Sequence, residues 1–207
     1  MSDVALIYVG AVLIVNGIML LGWLTPREAG PLNIFVGALQ VFTPTYLIVT
    51  AGGDTAAVFA ASGIYLFGFT YLWVGINALK GYSNRGFGWF ALLVTLCTVV
   101  YAAESFLTVG DAGFGVIWLL WGILWFLFFL VLGLERGSLG PATGVYTTVI
   151  GVVTAVVAFM GLLDLWTGEW GVALIVAAAG VLALVVSAPV AKALTAPTTA
   201  PTTEVVD

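Results

Sequence analysis

Histidine is absent from this chain of 207 residues, and cysteine and charged residues are scarce. The chain therefore lacks the commonest metal ligand and the one side chain that ordinarily titrates near neutral pH. A single cysteine, Cys97, provides neither a disulfide framework nor a cysteine metal site. Charged residues make up 7% of the sequence against 62% hydrophobic residues, too few to cover the surface of a soluble domain. We expect a membrane protein that holds no metal and no cofactor.

Seven apolar segments follow one another along the chain, and short polar breaks separate them. Each segment has the roughly 20 residues that a helix needs to cross the hydrocarbon core of a bilayer. The predicted spans are roughly 4–24, 31–51, 56–78, 87–108, 114–134, 142–163 and 171–190. A transmembrane β-barrel would show shorter segments in which polar and apolar residues alternate strictly. The pattern predicts an all-α integral membrane protein.

The basic residues all fall on one side of this topology. Those in the odd-numbered breaks and after the last segment are Arg27, Lys80, Arg85, Arg136 and Lys192. The even-numbered breaks hold no lysine or arginine, and their acidic residues are Asp54, Asp111, Asp164 and Glu169. Because cationic loops stay in the cytoplasm, we expect an external N-terminus and a cytoplasmic C-terminus.

The first segment has no basic region before it, so we expect it to be retained as a span. The net charge of −5 offers nucleic acid no attraction.

The charged residues cluster at the ends of the predicted spans, where their side chains can reach water. Glu104 is the most inward of them, and we expect it to snorkel or to cap a helix end. No chain of buried charges crosses the bilayer, which argues against a proton pump or an ion-coupled carrier. No ring of charges indicates an ion filter. The spans show no acid–base or nucleophile–base pair either, so the chain is not expected to be an enzyme.

Neutral polar and aromatic residues recur at helical spacing inside the spans. The candidate residues are Leu6, Val9, Leu13 and Asn16 in the first span, Phe67 and Tyr71 in the third, and Trp118, Trp121 and Trp125 in the fifth. Each group has a plainer interpretation, since aromatic stripes often pack helices together and Asn or Gln often bonds a neighbouring helix. Together they suit a narrow pore for a small, planar, neutral solute, because rings confine a flat molecule and amides replace part of its hydration.

Three stretches resemble the bacterial urea and short-chain amide channel family, AmiS/UreI. They are LIYVGAVLIVNG at 6–17, LFGFTYLWVGIN at 66–77 and IWLLWGILW at 117–125. The resemblance implies a six-helix channel bundle in residues 1–163, a pore through each protomer, a homohexamer and a bacterial inner-membrane location. Residues 164–192 then form an additional C-terminal transmembrane helix, or one that lies along the membrane or packs peripherally. Residues 193–207, rich in threonine and proline, are predicted to be a disordered cytoplasmic tail.

Carried over by position, the resemblance places the pore-lining aromatic and aliphatic residues at Phe67, Tyr71, Trp118, Trp121, Leu124 and Trp125. The chain departs from acid-gated members of the family, because it has no histidine and joins the second and third spans by only about four residues, 52–55. Some members carry a carboxylate in the sixth helix, where residues 146–153 of this chain are uncharged. Gating by histidine protonation is therefore impossible, and flux should stay nearly flat between about pH 5 and 8.

The function implied is a passive channel for urea or short-chain aliphatic amides that feeds a cytoplasmic urease or amidase. The alternative is a structural or accessory membrane subunit without a conducting pore, whose polar stripes only pack helices. Seven spans also invite comparison with retinal photoreceptors. The only lysine near the seventh span is Lys192, at its end, whereas a retinal Schiff base needs a lysine in the middle of the membrane.

Overall fold

The structure, a computed structural model, describes residues 2–194 and shows no β-strand within them. Seven helical stretches are long and apolar enough to cross a membrane, and we number them spans 1 to 7: Asp3–Leu20, Pro26–Thr50, Thr55–Lys80, Arg85–Val109, Ala112–Gly133, Gly137–Leu162 and Trp170–Leu194. The predicted all-helical membrane fold with seven spans is confirmed.

Single α-helices form spans 1, 2 and 7, and the first of these begins at Ser2. The helices of the other four spans have breaks or irregular ends. Span 3 consists of helices Thr55–Ser62 and Ile64–Lys80; span 4 of helix Arg85–Glu104 and the π-helical turn Ser105–Val109; span 5 of helix Ala112–Phe128 and the π-helical turn Phe129–Gly133; and span 6 of the 3₁₀ turn Gly137–Leu139 and helix Gly140–Leu162.

Two span ends differ from the sequence-based boundaries. Span 2 begins at Pro26 rather than near residue 31, because Thr25 and Glu28 form a capping box in which each side chain bonds the other's backbone N–H, at 3.3 and 2.7 Å. Span 7 runs to Leu194, two residues into the stretch predicted to be tail. The helix continues past Pro189, and four of the five residues at 190–194 are good helix formers. Residues 195–207, which hold the rest of the predicted tail, lie outside the described residues.

Spans 1 to 6 form a closed ring. Each packs on its two neighbours in chain order, and span 6 returns to pack on span 1. Span 7 lies outside this ring against spans 5 and 6, so the additional helix packs peripherally at full membrane-spanning length. Large apolar side chains such as Phe35, Val49 and Leu107 are exposed on the outside of the bundle, as expected of a surface that faces lipid or another subunit.

Glycines bring spans 1 and 6 into backbone contact. Gly10 faces Gly151, and Gly17 faces Gly144, one heptad apart on each antiparallel helix. A methyl group added to Gly10 would lie 2.7 Å from the carbonyl oxygen of Gly151, too close for any side chain. These small residues remove the bulk that would otherwise separate the helices, which is how helices associate closely in lipid.

Span 7 is attached to the ring at both of its ends. At one end the indole N–H of Trp23 donates to the carbonyl oxygen of Leu194 at 2.6 Å. At the other end the ring of Trp170 stacks on Phe106, with centroids 5.8 Å apart. The segment that leads into span 7 is also held, because the indole N–H of Trp166 donates to Asp111 at 2.8 Å. We call residues 164–169 the strap.

Candidate functional site

Two cavities lie along the ring, one toward each face of the bundle. The N-side cavity, at the end where span 1 begins, has a volume of about 260 Å³. The C-side cavity, at the opposite end, has a volume of about 360 Å³. Each exceeds by more than tenfold the roughly 15 Å³ that one water molecule requires. The bundle therefore contains two chambers with room for a small solute.

Aromatic side chains from spans 3 and 5 separate the two chambers. Phe67 and Trp121 line the N-side cavity, whereas Tyr71 and Trp125 line the C-side cavity. All four side chains are buried. We call this group of four rings the aromatic partition.

Phe67 stands at the centre of the aromatic partition. Its ring meets those of Trp121 and Trp125 edge to face, with centroid distances of 4.8 and 4.9 Å and interplanar angles of 79° and 78°. This T-shaped arrangement is favoured for aromatic pairs, so each ring supports the orientation of the next. Trp118 extends the wall toward the N-side, with its ring 5.0 Å from that of Trp121 and stacked on Tyr101 at 4.6 Å.

Both indole N–H groups of the aromatic partition are engaged by threonines. Trp121 donates to the hydroxyl oxygen of Thr154 in span 6 at 3.1 Å, and Trp125 donates to that of Thr70 in span 3 at 3.2 Å. All four residues are buried. An indole has only one donor, so the two rings present their faces and edges, but no free N–H, to anything that passes between the chambers.

Tyr71 provides a hydroxyl group at the partition that has no partner. The side chain is almost fully buried, it lines the C-side cavity, and its oxygen makes no hydrogen bond within residues 2–194. A buried hydroxyl without a partner costs free energy, and such groups are rare in folded proteins. The oxygen itself has almost no accessible surface, so a polar molecule in the C-side cavity can reach it only after a neighbouring side chain moves.

Amide side chains beside the chambers mostly bond one another. Asn16 and Asn33 form a reciprocal pair between spans 1 and 2, at 2.9 and 2.7 Å, and Asn16 also lines the C-side cavity. Gln40 donates to the carbonyl oxygen of Ala5 at 2.7 Å and lines the N-side cavity. All three amides therefore bond a neighbouring helix, as Asn and Gln often do in membranes. Asn16 and Gln40 also face a chamber.

The chambers differ in charge. Three carboxylates, those of Asp3, Glu104 and Asp111, line the N-side cavity, and no lysine or arginine accompanies them. The residues that line the C-side cavity include no charged side chain. Asp111 accepts hydrogen bonds from the backbone N–H of Phe114 at 2.7 Å and from Trp166 at 2.8 Å, so it caps span 5 and anchors the strap. Within the described residues no group of three or more potential ligands could hold a metal ion.

The residues predicted for a pore divide between the two chambers with one exception. Leu6, Val9, Phe67, Trp118 and Trp121 line the N-side cavity. Leu13, Asn16, Tyr71 and Trp125 line the C-side cavity. Leu124 is fully buried but lines neither cavity. At about 100° per residue its side chain points roughly 100° away from that of Trp125, which places it at the flank of the tryptophan stripe.

Sequence reasoning missed several residues around the chambers. Glu104, expected only to snorkel or to cap, faces the N-side cavity and accepts a hydrogen bond from Thr108 at 2.9 Å. Thr70 and Thr154 went unnoticed because threonine is common in membrane helices and their indole partners lie on another span. The uneven distribution of acidic residues between the breaks already pointed to Asp111 at this end of the bundle.

Comparisons with known proteins agree on a family. The sequence matches the AmiS/UreI family of transporters over residues 1–165, up to just before span 7. Two bacterial proteins are 50% identical over 198 residues, and each match covers 95% of this chain. One, from Mycolicibacterium smegmatis, is described as a transporter of amidate substrates, and 93% of its length is covered. The other, from Rhodococcus erythropolis, is described as transporter protein AmiS2, and 94% of its length is covered. Both matches are long enough to include span 7.

The acid-activated urea channel of Helicobacter pylori strain J99 is 31% identical over 186 residues, which cover 75% of this chain and 93% of that protein. The fold is also similar to a closed-state cryo-EM structure of the Helicobacter pylori urea channel, with a TM-score of 0.71 and 28% identity. That match covers 81% of this chain and all of the other. The resemblance predicted from the three sequence stretches is confirmed. The chain belongs to the AmiS/UreI family of transporters.

Proposed function

We propose that this protein is a passive channel that conducts short-chain aliphatic amides or urea down their concentration gradients. The observation that carries the proposal is the aromatic partition, which separates two chambers inside a membrane bundle. Flat rings confine a planar solute, and the Tyr71 hydroxyl and the Asn16 amide offer hydrogen bonds without charge. The other predicted residues that line the two cavities would extend the path on either side, whereas Leu124 lines neither cavity.

Amides are the preferred solutes in this proposal. The relative from Mycolicibacterium smegmatis, at 50% identity, is described as a transporter of amidate substrates, whereas the urea channel is 31% identical. Urea remains within the proposal because it is also a small, planar, neutral amide. Uptake would supply a cytoplasmic amidase or urease. Gating would not involve histidine, because the chain has none.

The proposed orientation places the N-terminus outside and the C-terminus in the cytoplasm of a bacterial inner membrane. It follows from the basic residues in the breaks on the C-side of the bundle. The exposed apolar outer faces would contact lipid and, in a homohexamer, neighbouring protomers. Single cysteines placed in the breaks of a Cys97→Ala variant, labelled from one side of the membrane, test the orientation. Native mass spectrometry from a mild detergent tests the hexamer.

Solute flux into proteoliposomes tests the proposed function. Vesicles that hold the purified protein should swell in acetamide or urea faster than protein-free vesicles of the same lipid and size. Permeability no higher than that of empty vesicles for every short amide and for urea would contradict the proposal. That result would favour the alternative of an accessory membrane subunit whose polar residues only pack helices.

A further inference from the structure

The two central indoles of the bundle are fixed from outside their own helix. Trp121 and Trp125 both lie on span 5, yet the hydroxyl that accepts from the first belongs to span 6, and the one that accepts from the second belongs to span 3. Span 6, the neighbour of span 5 in the ring, and span 3, which reaches it across the interior, therefore each hold one of its rings. Each indole makes one hydrogen bond, and its partner is one threonine.

Other buried threonines in the bundle use their hydroxyl groups differently. Thr147 lies on span 6, seven residues before Thr154 and on the same face, and donates to the carbonyl oxygen of Thr143 at 2.6 Å. Thr98 likewise donates to the carbonyl oxygen of Thr95 at 2.7 Å. A hydrogen bond to a carbonyl oxygen three or four residues earlier in the same helix is common for a threonine hydroxyl. Within the described residues, only the hydroxyls of Thr70 and Thr154 accept from an indole.

Phe67 lies at the boundary between the two chambers and links the two indoles. Its ring touches both indoles edge to face, and the three rings together with Tyr71 separate the chambers. Since the rings are in contact, neither indole can turn without moving against Phe67 or into a chamber. Any opening between the chambers therefore has to form among these rings.

We propose that Thr70 and Thr154 are positioning residues that determine the largest amide the channel passes. This inference rests on the proposed function and assigns its size limit to two residues that do not themselves form the aromatic partition. Each threonine consumes the only donor of its indole and keeps the ring in one orientation, so the passage keeps one width. Loss of either hydroxyl leaves a buried indole N–H without a partner, and the ring is expected to turn in search of one.

The experiment compares two fluxes in the same proteoliposomes, those of acetamide and of the longer butyramide. The variants are Thr70→Val, Thr154→Val and the double variant, with Thr70→Ser and Thr154→Ser to restore the hydroxyl. Thr147→Val is the matched control, because it removes an equally buried hydroxyl from the same face of span 6, one that bonds the carbonyl oxygen of Thr143 and not an indole. We expect the acetamide-to-butyramide flux ratio to fall by about threefold or more in the valine variants, the effect of one lost buried hydrogen bond on an equilibrium.

The serine variants and Thr147→Val should keep the wild-type ratio. A ratio that stays at the wild-type value in the double valine variant, or fluxes that rise or fall together, would overturn the inference, since a threonine that only stabilises the bundle changes every flux alike. A shifted ratio in the serine variants would contradict it as well. Wild-type vesicles without any amide flux would contradict the proposed function itself, and that outcome is visible before any variant is compared.

Discussion

The two chambers of this bundle are built from different chemistry. Three carboxylates line the N-side cavity, and the strap is hydrogen-bonded to one of them, Asp111. Uncharged side chains line the C-side cavity, where the hydroxyl of Tyr71 is buried without a partner. The comparison shows that the charged lining groups lie at the N-side end of the bundle, where water reaches them. The hydroxyl without a partner lies beside the aromatic partition.

Removing the partition should erase the difference between the chambers and have the largest effect. Trp121→Ala together with Trp125→Ala joins the two cavities, because each indole separates one from the other. We expect selectivity for acetamide over glycerol in proteoliposomes to fall by about tenfold or more. Trp89→Ala is the control, since that indole is half exposed on the outside of the bundle and lines neither cavity. Unchanged flux of both solutes in the double variant would refute the role given to these rings.

Tyr71→Phe sharpens the comparison at the C-side cavity. The change removes a hydroxyl that has no partner, so we expect amide flux to fall by about two- to fivefold while the protein becomes more stable by up to about 1 kcal/mol. Tyr146→Phe is the matched control, because its buried hydroxyl donates to the carbonyl oxygen of Leu120 at 3.1 Å. That variant should lose about 1 kcal/mol. Thermal unfolding in detergent measures both, and equal destabilisation of the two variants would show that the Tyr71 hydroxyl is bonded.

Trp166→Phe tests the strap at the N-side cavity. The substitution keeps an aromatic ring against Phe114, whose centroid is 6.1 Å away, but removes the N–H that donates to Asp111. We expect a loss of about 1.5–3 kcal/mol, the usual range for a hydrogen bond to a charged group. Trp170→Phe, at an exposed indole that only stacks on Phe106, should change stability by less than about 0.5 kcal/mol. Similar losses in both variants would mean that the bond to Asp111 contributes nothing.

Mild acid should have the smallest effect. Of the two cavities only the N-side one is lined by charged groups, the chain has no histidine, and ordinary carboxyl groups titrate near pH 4. Acetamide flux is therefore expected to vary by less than about twofold between pH 5 and pH 8. Stopped-flow swelling at matched internal and external pH provides the measurement. A steep rise toward pH 5 would show that a carboxylate of the N-side cavity controls the passage.

Much of the fold could be predicted from the sequence, because crossing a bilayer imposes length and apolarity on each helix separately. The spacing of Trp118, Trp121 and Trp125 likewise determines that they share one face of span 5, and their burial in the structure agrees with an inward stripe. Each of these inferences uses the sequence of one helix at a time, so neither needs to know which helices are neighbours.

Features that depend on two helices could not be predicted in this way. The bonds from Trp121 to Thr154 and from Trp125 to Thr70 join residues 33 and 55 positions apart, and only the order of spans in the ring brings them together. Leu124 was carried over from a family motif and not from its own direction on the helix, and in the structure it lines neither cavity. The predicted start of span 2, near residue 31, came too late, because the capping box at Thr25 begins the helix earlier.

Chemical closure of the passage tests the central claim most directly. A Phe67→Cys variant made in a Cys97→Ala background places one thiol at the centre of the aromatic partition, and a bulky thiol reagent can then fill it. We predict that complete labelling reduces acetamide flux to that of protein-free vesicles, while labelling of Leu174→Cys, exposed on the outer face of span 7, leaves the flux unchanged. Full flux through a completely labelled Phe67→Cys protein would contradict the account, because the solute would then have to cross by another path.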